Sequence, residues 1–342
     1  MISEKQLNEI KEHLERAQNP FFYFDNDNDG LISFLLLQRY LGRGKGISIK
    51  SFPELDASYY RKVKELNADY IFILDKPCVS KEFLDKAQQD NIPVVWIDHH
   101  DVEKPECENY FNSYHTDKQN EPVSYICYKL TNRKEDLWLA VIGCISDYYM
   151  PDFYNEFLEK YPELGIKNPK SPFHVLYESK IGEIARILDF ALKDTTTNVV
   201  NMLRLMIKSK SPYDILNECS ANRPVLRRFC EINSKYKTYM EKARQSAKEK
   251  YVYFQYAGEY SLNANLANQL KFEFPKKTII ICYLKSGQAN FSIRADNARD
   301  ITLKAIKDIE GATGGGHEKA TGAQVPVDKI EDFKMILLGL IK

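Results

Sequence analysis

The sequence predicts an α/β fold: an N-terminal parallel sheet with flanking helices, then a helical insert and a linker helix, then a smaller C-terminal mixed α/β domain. Three observations carry this. Short apolar, strand-like runs alternate with helical stretches as far as Ile97. Several apolar runs end in an acid or an imidazole, at the strand end where open parallel sheets bind ligands. From Tyr251 onward the pattern changes to longer strand-like runs with two helices among them.

Taken in order, Ser3 and Gln6 read as a capping box before Leu7, Ile10 and Leu14, so the chain opens on a helix. Strand Phe21–Phe24 leads through an acidic loop to helix Leu31–Tyr40, stopped near Gly42. Strand Ile47–Phe52, a charged helix around Tyr59–Leu66, strand Tyr70–Leu74, helix Ser80–Gln89 and strand Val94–Ile97 follow. That βαβ rhythm calls for a parallel sheet with helices on both faces. Pro122–Leu130 and Leu137–Asp147 read as helices packed behind it, closing a first domain over 1–150.

Prolines 151, 162, 169, 172 and 212 break up the next stretch, 151–220. Between them Ile181, Ile184, Ile187, Leu188 and Leu192 repeat at helical spacing, which favours core packing over a lid or an oligomer surface. Residues 221–250 form a helical linker with nine bases and three acids, Tyr236 and Tyr239 interleaved. A solvated helix face is the ordinary reading of such a run; the basic wall of a nucleic-acid groove is the functional one. The last domain, 251–342, offers strands at Tyr251–Phe254, Thr278–Tyr283 and Asn290–Arg294, with helices at Leu262–Leu270, Asp300–Ile309 and Ile330–Ile341.

Composition narrows the function. At 342 residues the chain is long enough for two domains with cores of their own. The 48 bases balance 48 acids, so bulk charge gives no strong attraction to nucleic acid, although a local groove can. Seven scattered cysteines without a C-x-x-C pair argue against structural zinc and a disulfide framework, and point to a reducing, cytoplasmic setting. The polar N-terminus is no signal peptide, and no apolar run reaches membrane-spanning length.

The chemistry concentrates in Asp25-Asn26-Asp27-Asn28-Asp29-Gly30. Three carboxylates at alternate positions repel one another, and a divalent cation among them is the simplest remedy. An EF-hand would need a bidentate Glu at position 12 of the loop, where Leu36 stands, and a helix before it, where the aromatic run reads as a strand. Three further sites add ligand-type groups: Asp75 after the run Tyr70–Leu74, Asp98-His99-His100 after Val94–Ile97, and Asp147 after Leu137–Ile145. Singly, each has a bland reading as a helix cap, a turn residue or a surface histidine. Their joint position at the ends of apolar runs does not.

In this order, the acidic loop, Asp75, Asp98-His99-His100 and Asp147 resemble the four motifs of the DHH phosphoesterase superfamily. Gly314-Gly315-Gly316-His317 with Ala320 and Gly322, preceded by Ser292-Ile293-Arg294, resembles the signature of its companion DHHA1 domain. Tyr23 stands where some members carry a histidine, and D-x-D-x-D-G is similar to the RecJ-like, archaeal-type exonuclease branch. The resemblance implies a two-metal site. Asp25 and Asp27 would hold one ion, Asp29, His99 and Asp147 the other, and Asp75 both. Asp98 would orient His99, and His100 would face the phosphate. One imidazole among carboxylates suits Mn²⁺, with Mg²⁺ or Co²⁺ as substitutes. Arg294, Gly314, Gly315, Gly316 and His317 would bind the substrate's phosphates.

The leading expectation is an exonuclease or phosphodiesterase that takes single-stranded DNA or RNA, or short oligonucleotides, to nucleoside monophosphates. A small-nucleotide hydrolase acting on nanoRNA, pAp or cyclic dinucleotides is the second. A non-catalytic replication or repair scaffold is the third; whichever holds, 151–220 offers a contact surface for a second copy or a replication or repair partner.

Overall fold

The structure, a computed structural model, describes residues 2–50, 54–117 and 120–341. The chain divides into two compact units, Met1–Leu226 and Arg227–Lys342.

The first unit is built on five strands: β1 Pro20–Asp25, β2 Lys45–Ile49, β3 Tyr70–Leu74, β4 Val94–Asp98 and β5 Asn109–Asn112. They lie in the order β2-β1-β3-β4-β5, and every pairing is parallel. Parallel strands buried on both faces read as continuous apolar runs, and Phe22, Tyr23, Phe24, Ile71, Phe72, Ile73 and Leu74 are all fully buried. β2 covers the early part of the strand expected over Ile47–Phe52, whose last two residues lie outside the described ones. β5 had no forecast: its polar ends, Asn109 and Asn112, hide a strand of only four residues.

Helices fall close to their expected places, at Glu4–Arg16, Asn28–Leu41, Lys81–Gln89, Val123–Thr131 and Leu137–Ser146. Leu137–Ser146 is buried throughout its apolar length, from Leu137 to Ile145, as a helix with no polar stripe must be. The 151–220 stretch belongs to this first unit. Its helix Lys180–Leu192 buries Ile181, Ile184, Ile187, Leu188 and Leu192, the stripe seen in the sequence. Asn28 ties it to the site loop by donating to the Ala185 carbonyl at 2.8 Å.

The helix Arg223–Gln245 begins at the end of the first unit and continues in the second. Several of its bases are ion-paired: Arg223 with Glu218, Arg227 and Arg228 with Glu231, Lys235 with Glu259, and Arg244 with Glu273. That pairing favours the solvated-face reading of the charge run. Beyond it, β6 Tyr251–Ala257, β7 Thr278–Lys285, β8 Gln288–Arg294, β9 Thr313–Gly316 and β10 Ala320–Pro326 form a mixed sheet in the order β9-β10-β8-β7-β6. Only β6 and β7 pair in parallel. The expected mixed α/β domain is there, with two further strands, the glycine-rich β9 and its partner β10, that had no forecast. No helix among the described residues is long and apolar enough to cross a membrane.

Candidate active site

Register decides what meets at the carboxyl ends of the first sheet. Phe24 of β1 pairs with Leu74 of β3, and Leu74 pairs with Ile97 of β4. The next residue along the chain is in each case an aspartate, so Asp25, Asp75 and Asp98 occupy neighbouring positions. The strand order reverses between β1 and β3, the switch point at which open α/β sheets leave a crevice. Asp75 has φ +59, an uncommon conformation for a side-chain-bearing residue and one found at functional sites. Its N–H donates to the Ile97 carbonyl at 2.9 Å, so the sheet itself holds the bend.

The acidic loop runs from β1 directly into the helix Asn28–Leu41. Asp27 is the N-cap, its Oδ1 accepting from the Gly30 N–H at 3.0 Å. A Cβ at Gly30 would lie 2.6 Å from the Asp25 carbonyl oxygen and 2.7 Å from its nitrogen. Only glycine lets the helix start this close to the end of β1.

Two groups of ligand-type atoms result. Asp25, Asp27 and Asp75 each offer an oxygen within 4.8 Å of the others, and so do Asp75, His99 and His100 with their own ligand atoms. Asp75 is common to both. His99 reaches towards two acids, with Nε2 3.2 Å from Asp75 Oδ1 and Nδ1 3.6 Å from Asp147 Oδ2. Asp147 is delivered by the C-terminal end of Leu137–Ser146, where it is the C-cap. The structure thus brings together Asp25, Asp27, Asp75, His99, His100 and Asp147.

Two residues take parts other than those the resemblance implies. Asp29 is buried, with Oδ2 accepting from the Val123 N–H at 2.8 Å and Oδ1 from the Ser124 N–H at 2.9 Å and from the Ser124 hydroxyl. It serves the N-terminus of the helix Val123–Thr131, where orphan N–H groups and the helix dipole both favour an anion. Asp98 pairs with His100 instead of His99: its Oδ1 lies 2.7 Å from His100 Nδ1. Tyr110 and Asn112 of β5 donate to its Oδ2 at 3.2 and 3.4 Å, which fixes the carboxylate beneath His100.

Lys76 went unnoticed in the sequence. It is 1% exposed, and its Nζ lies 2.7 Å from Asp25 Oδ1. The buried Trp96 indole donates to the Lys76 carbonyl at 2.8 Å and fixes its backbone. A lysine directly after the acid that ends an apolar strand was the available signal. With Lys76→Met, Asp25 loses its ammonium partner in a crowd of acids. The metal-free protein should lose about 3 kcal/mol of stability, and Mn²⁺ should restore more of its thermal midpoint than it adds to the wild type. Thermal unfolding with and without Mn²⁺ checks this.

The electrostatics are those of a site short of positive charge. Removal from water, then the charges of Asp25 and Asp29, push the Asp27 carboxyl up to about 7. Burial raises Asp147 to about 6 against the opposing pull of His99. Burial first, then Asp27, Asp29 and Asp25, hold Asp75 well above the carboxylate range. For His100 burial opposes the charge, but the hydrogen bond and charge of Asp98, with Asp147 and Asp27, lift it to about 9. Among the described residues, Asp75 Oδ1 and His99 Nδ1 are buried and find no hydrogen-bond partner. Such orphans are costly. Crowded acids, orphaned ligand atoms and an oxygen-rich donor set with one or two imidazoles all fit divalent cations such as Mn²⁺.

In the second unit, the glycine run is the strand β9, pressed against β10. A Cβ on Gly314 would stand 2.8 Å from the Gly322 carbonyl oxygen, and one on Gly316 2.6 Å from that of Ala320. Gly315 has open space instead. β9 is the sheet's edge, so a stretch of backbone bare of side chains lies along it. His317 closes the β9–β10 turn, its N–H donating to the Ala320 carbonyl at 2.9 Å. Arg294 is braced by Asn268, which accepts from Nε at 2.6 Å, and by the Ile293 and Thr321 carbonyls.

Comparisons with known proteins agree with this architecture. The DHH family, N-terminal domain, matches residues 21–145, and the DHHA1 domain matches residues 250–342. No curated protein matches the sequence. Among solved structures, RecJ in complex with Mn²⁺ from Thermus thermophilus superposes with a TM-score of 0.69 at 16% identity over 98% of this chain. This chain spans only 54% of that protein's length. Exonuclease RecJ bound to manganese gives 0.67 at 17% identity, covering 98% of this chain and 94% of the other. A pGpG-specific phosphodiesterase from Vibrio gives 0.53 at 13% identity, covering 95% and 99%. On its two matched domains and this shared architecture, the chain belongs to the DHH/DHHA1 superfamily and has a RecJ-like fold.

Proposed function

We propose that the protein is a metal-dependent phosphodiesterase that cleaves single-stranded nucleic acid or short oligonucleotides to nucleoside monophosphates. The observation that carries this reading is the position of Asp75, shared by two groups of ligand atoms at the switch point of the sheet. One carboxylate between two cation positions is the arrangement a two-metal hydrolase requires.

Asp25 and Asp27 would hold one ion, His99 and Asp147 the other, and Asp75 both. Mn²⁺ suits the donor set best, with Mg²⁺ or Co²⁺ as substitutes. Bound there, the cations supply ionised water at neutral pH and offset the charge of the phosphate. The protein's own groups do the remainder. Asp98, locked by Tyr110 and Asn112, holds His100 by Nδ1 and keeps its imidazole oriented and readily protonated. His100 would donate to a phosphate oxygen or hand a proton to the leaving oxygen. Lys76 holds Asp25 in place and limits the negative charge that an incoming phosphate meets. In the second unit, Arg294 and the bare edge of β9 would bind phosphate groups.

The test is a time course on end-labelled DNA and RNA strands, long and dinucleotide, with Mn²⁺. Release of mononucleotides supports the reading, and the preferred length separates a strand exonuclease from a small-nucleotide hydrolase. No hydrolysis of any of the four substrates would sink it.

A further inference from the structure

The helix Leu137–Ser146 ends in a Schellman motif. The Tyr148 N–H donates to the Ile145 carbonyl at 3.2 Å and the Tyr149 N–H to the Cys144 carbonyl at 2.8 Å. This geometry places Tyr148 at φ +58, in the left-handed region where glycine is the usual residue. The other non-glycine residues at positive φ are asparagine, aspartate and serine; Tyr148 is the one aromatic among those described. A bulky side chain is strained there, and such strain persists at functional sites.

What the strained turn achieves is a ring stack. Tyr148 lies on Phe173 with centroids 4.2 Å apart and planes at 18°. Phe173 is in turn near-parallel to Tyr177, one helical turn on, at 6.3 Å and 21°. Core packing alone does not account for Tyr148, because it stays 37% exposed, one of few large apolar side chains left so open. It also directly follows Asp147, whose carboxylate faces His99 in the candidate active site.

We propose that Tyr148, backed by Phe173, is a stacking platform for the nucleobase of the nucleotide whose phosphate would meet the cation that Asp75, His99 and Asp147 would hold. The proposal rests on the phosphodiesterase reading above and adds what grips the base. A ring face offers no donors or acceptors to tell bases apart, so the platform accepts any base and fits single strands with unstacked ends.

The test is equilibrium binding of a single-stranded oligonucleotide carrying 2-aminopurine at its 5′ or 3′ end, with Ca²⁺ replacing Mn²⁺, followed by fluorescence quenching. Tyr148→Gly removes the ring and the backbone strain together, so the variant keeps its fold. It should bind about tenfold more weakly than the wild type. On the same strand with an abasic terminal nucleotide the two proteins should bind alike. Tyr148→Phe should behave as the wild type. Equal affinity of wild type and Tyr148→Gly for the base-bearing strand, or an equal loss on the abasic one, would overturn the proposal, as would a wild type that leaves 2-aminopurine unquenched. Ring-dependent quenching in a wild type that hydrolyses nothing would uphold the platform and reject the phosphodiesterase reading. Hydrolysis unaffected in rate and affinity by Tyr148→Gly would do the reverse.

Discussion

Asp75→Asn is expected to lower phosphodiester hydrolysis about 10³-fold or more. Asparagine keeps the shape of the side chain and removes the one charge shared by both groups of ligand atoms. Without it neither cation position keeps its full set of ligands, and the two are no longer coupled. The same change should make the metal-free protein more stable. Asp75 is 2% exposed, one of its oxygens makes no hydrogen bond among the described residues, and the charges of Asp27, Asp29 and Asp25 oppose its own. Neutralising it removes both the desolvation cost and the repulsion. A lost activity with a raised thermal midpoint is the signature of a site that sacrifices stability for chemistry. Lost activity with a lowered midpoint would instead mark Asp75 as a structural residue. Steady-state kinetics and thermal unfolding in chelator, on the same preparation, distinguish the two.

Asp136→Ala is expected to have the largest effect on stability, about 3–5 kcal/mol. Asp136 is fully buried between Arg39, at 2.7 Å, and Arg133, at 3.0 Å. Arg39 also donates to the carbonyls of Met206, Ile207 and Ser209, joining the 151–220 stretch to the helix Asn28–Leu41. Removing the acid leaves the buried Arg39 guanidinium without its carboxylate, while Arg133, half-buried, keeps Glu135 at 2.8 Å. For a unit of this size the thermal midpoint should fall by on the order of 10 °C. The same helix carries Asp27 at its other end, so activity should fall more in Asp136→Ala than in Asp136→Asn, which keeps an acceptor for Arg39. Thermal unfolding of both variants checks the order; an alanine variant as stable as the wild type would show that this buried network contributes nothing.

The strand ends at Asp25, Asp75 and Asp98 were legible because those apolar runs stop abruptly at an acid. Parallel register then leaves little freedom in where Asp25 and Asp75 go. The tasks of Asp29 and Asp98 were not legible. Asp29 is committed by the N-terminus of Val123–Thr131, far along the chain, and nothing local announces that helix end as its partner. Asp98 turns to His100 under the hold of Tyr110 and Asn112, which lie on a strand too short and polar-flanked to show periodicity. β9 was hidden for a different reason: Gly314 and Gly316 fit because the neighbouring strand presses on them, a tertiary cause that propensity does not register. Tyr148 had a signal, an aromatic directly after an acid at the end of an apolar helix, but its significance depends on a backbone angle.

The central claim is that groups far apart in the sequence converge to hold divalent cations. The free-Mn²⁺ electron paramagnetic resonance signal, followed during titration of wild type and His99→Ala, tests it most directly. The account predicts that the wild type removes two ions per chain from solution and that His99→Ala, still folded, loses one of the two classes of site. A wild-type protein that leaves the free-Mn²⁺ signal undiminished would contradict it.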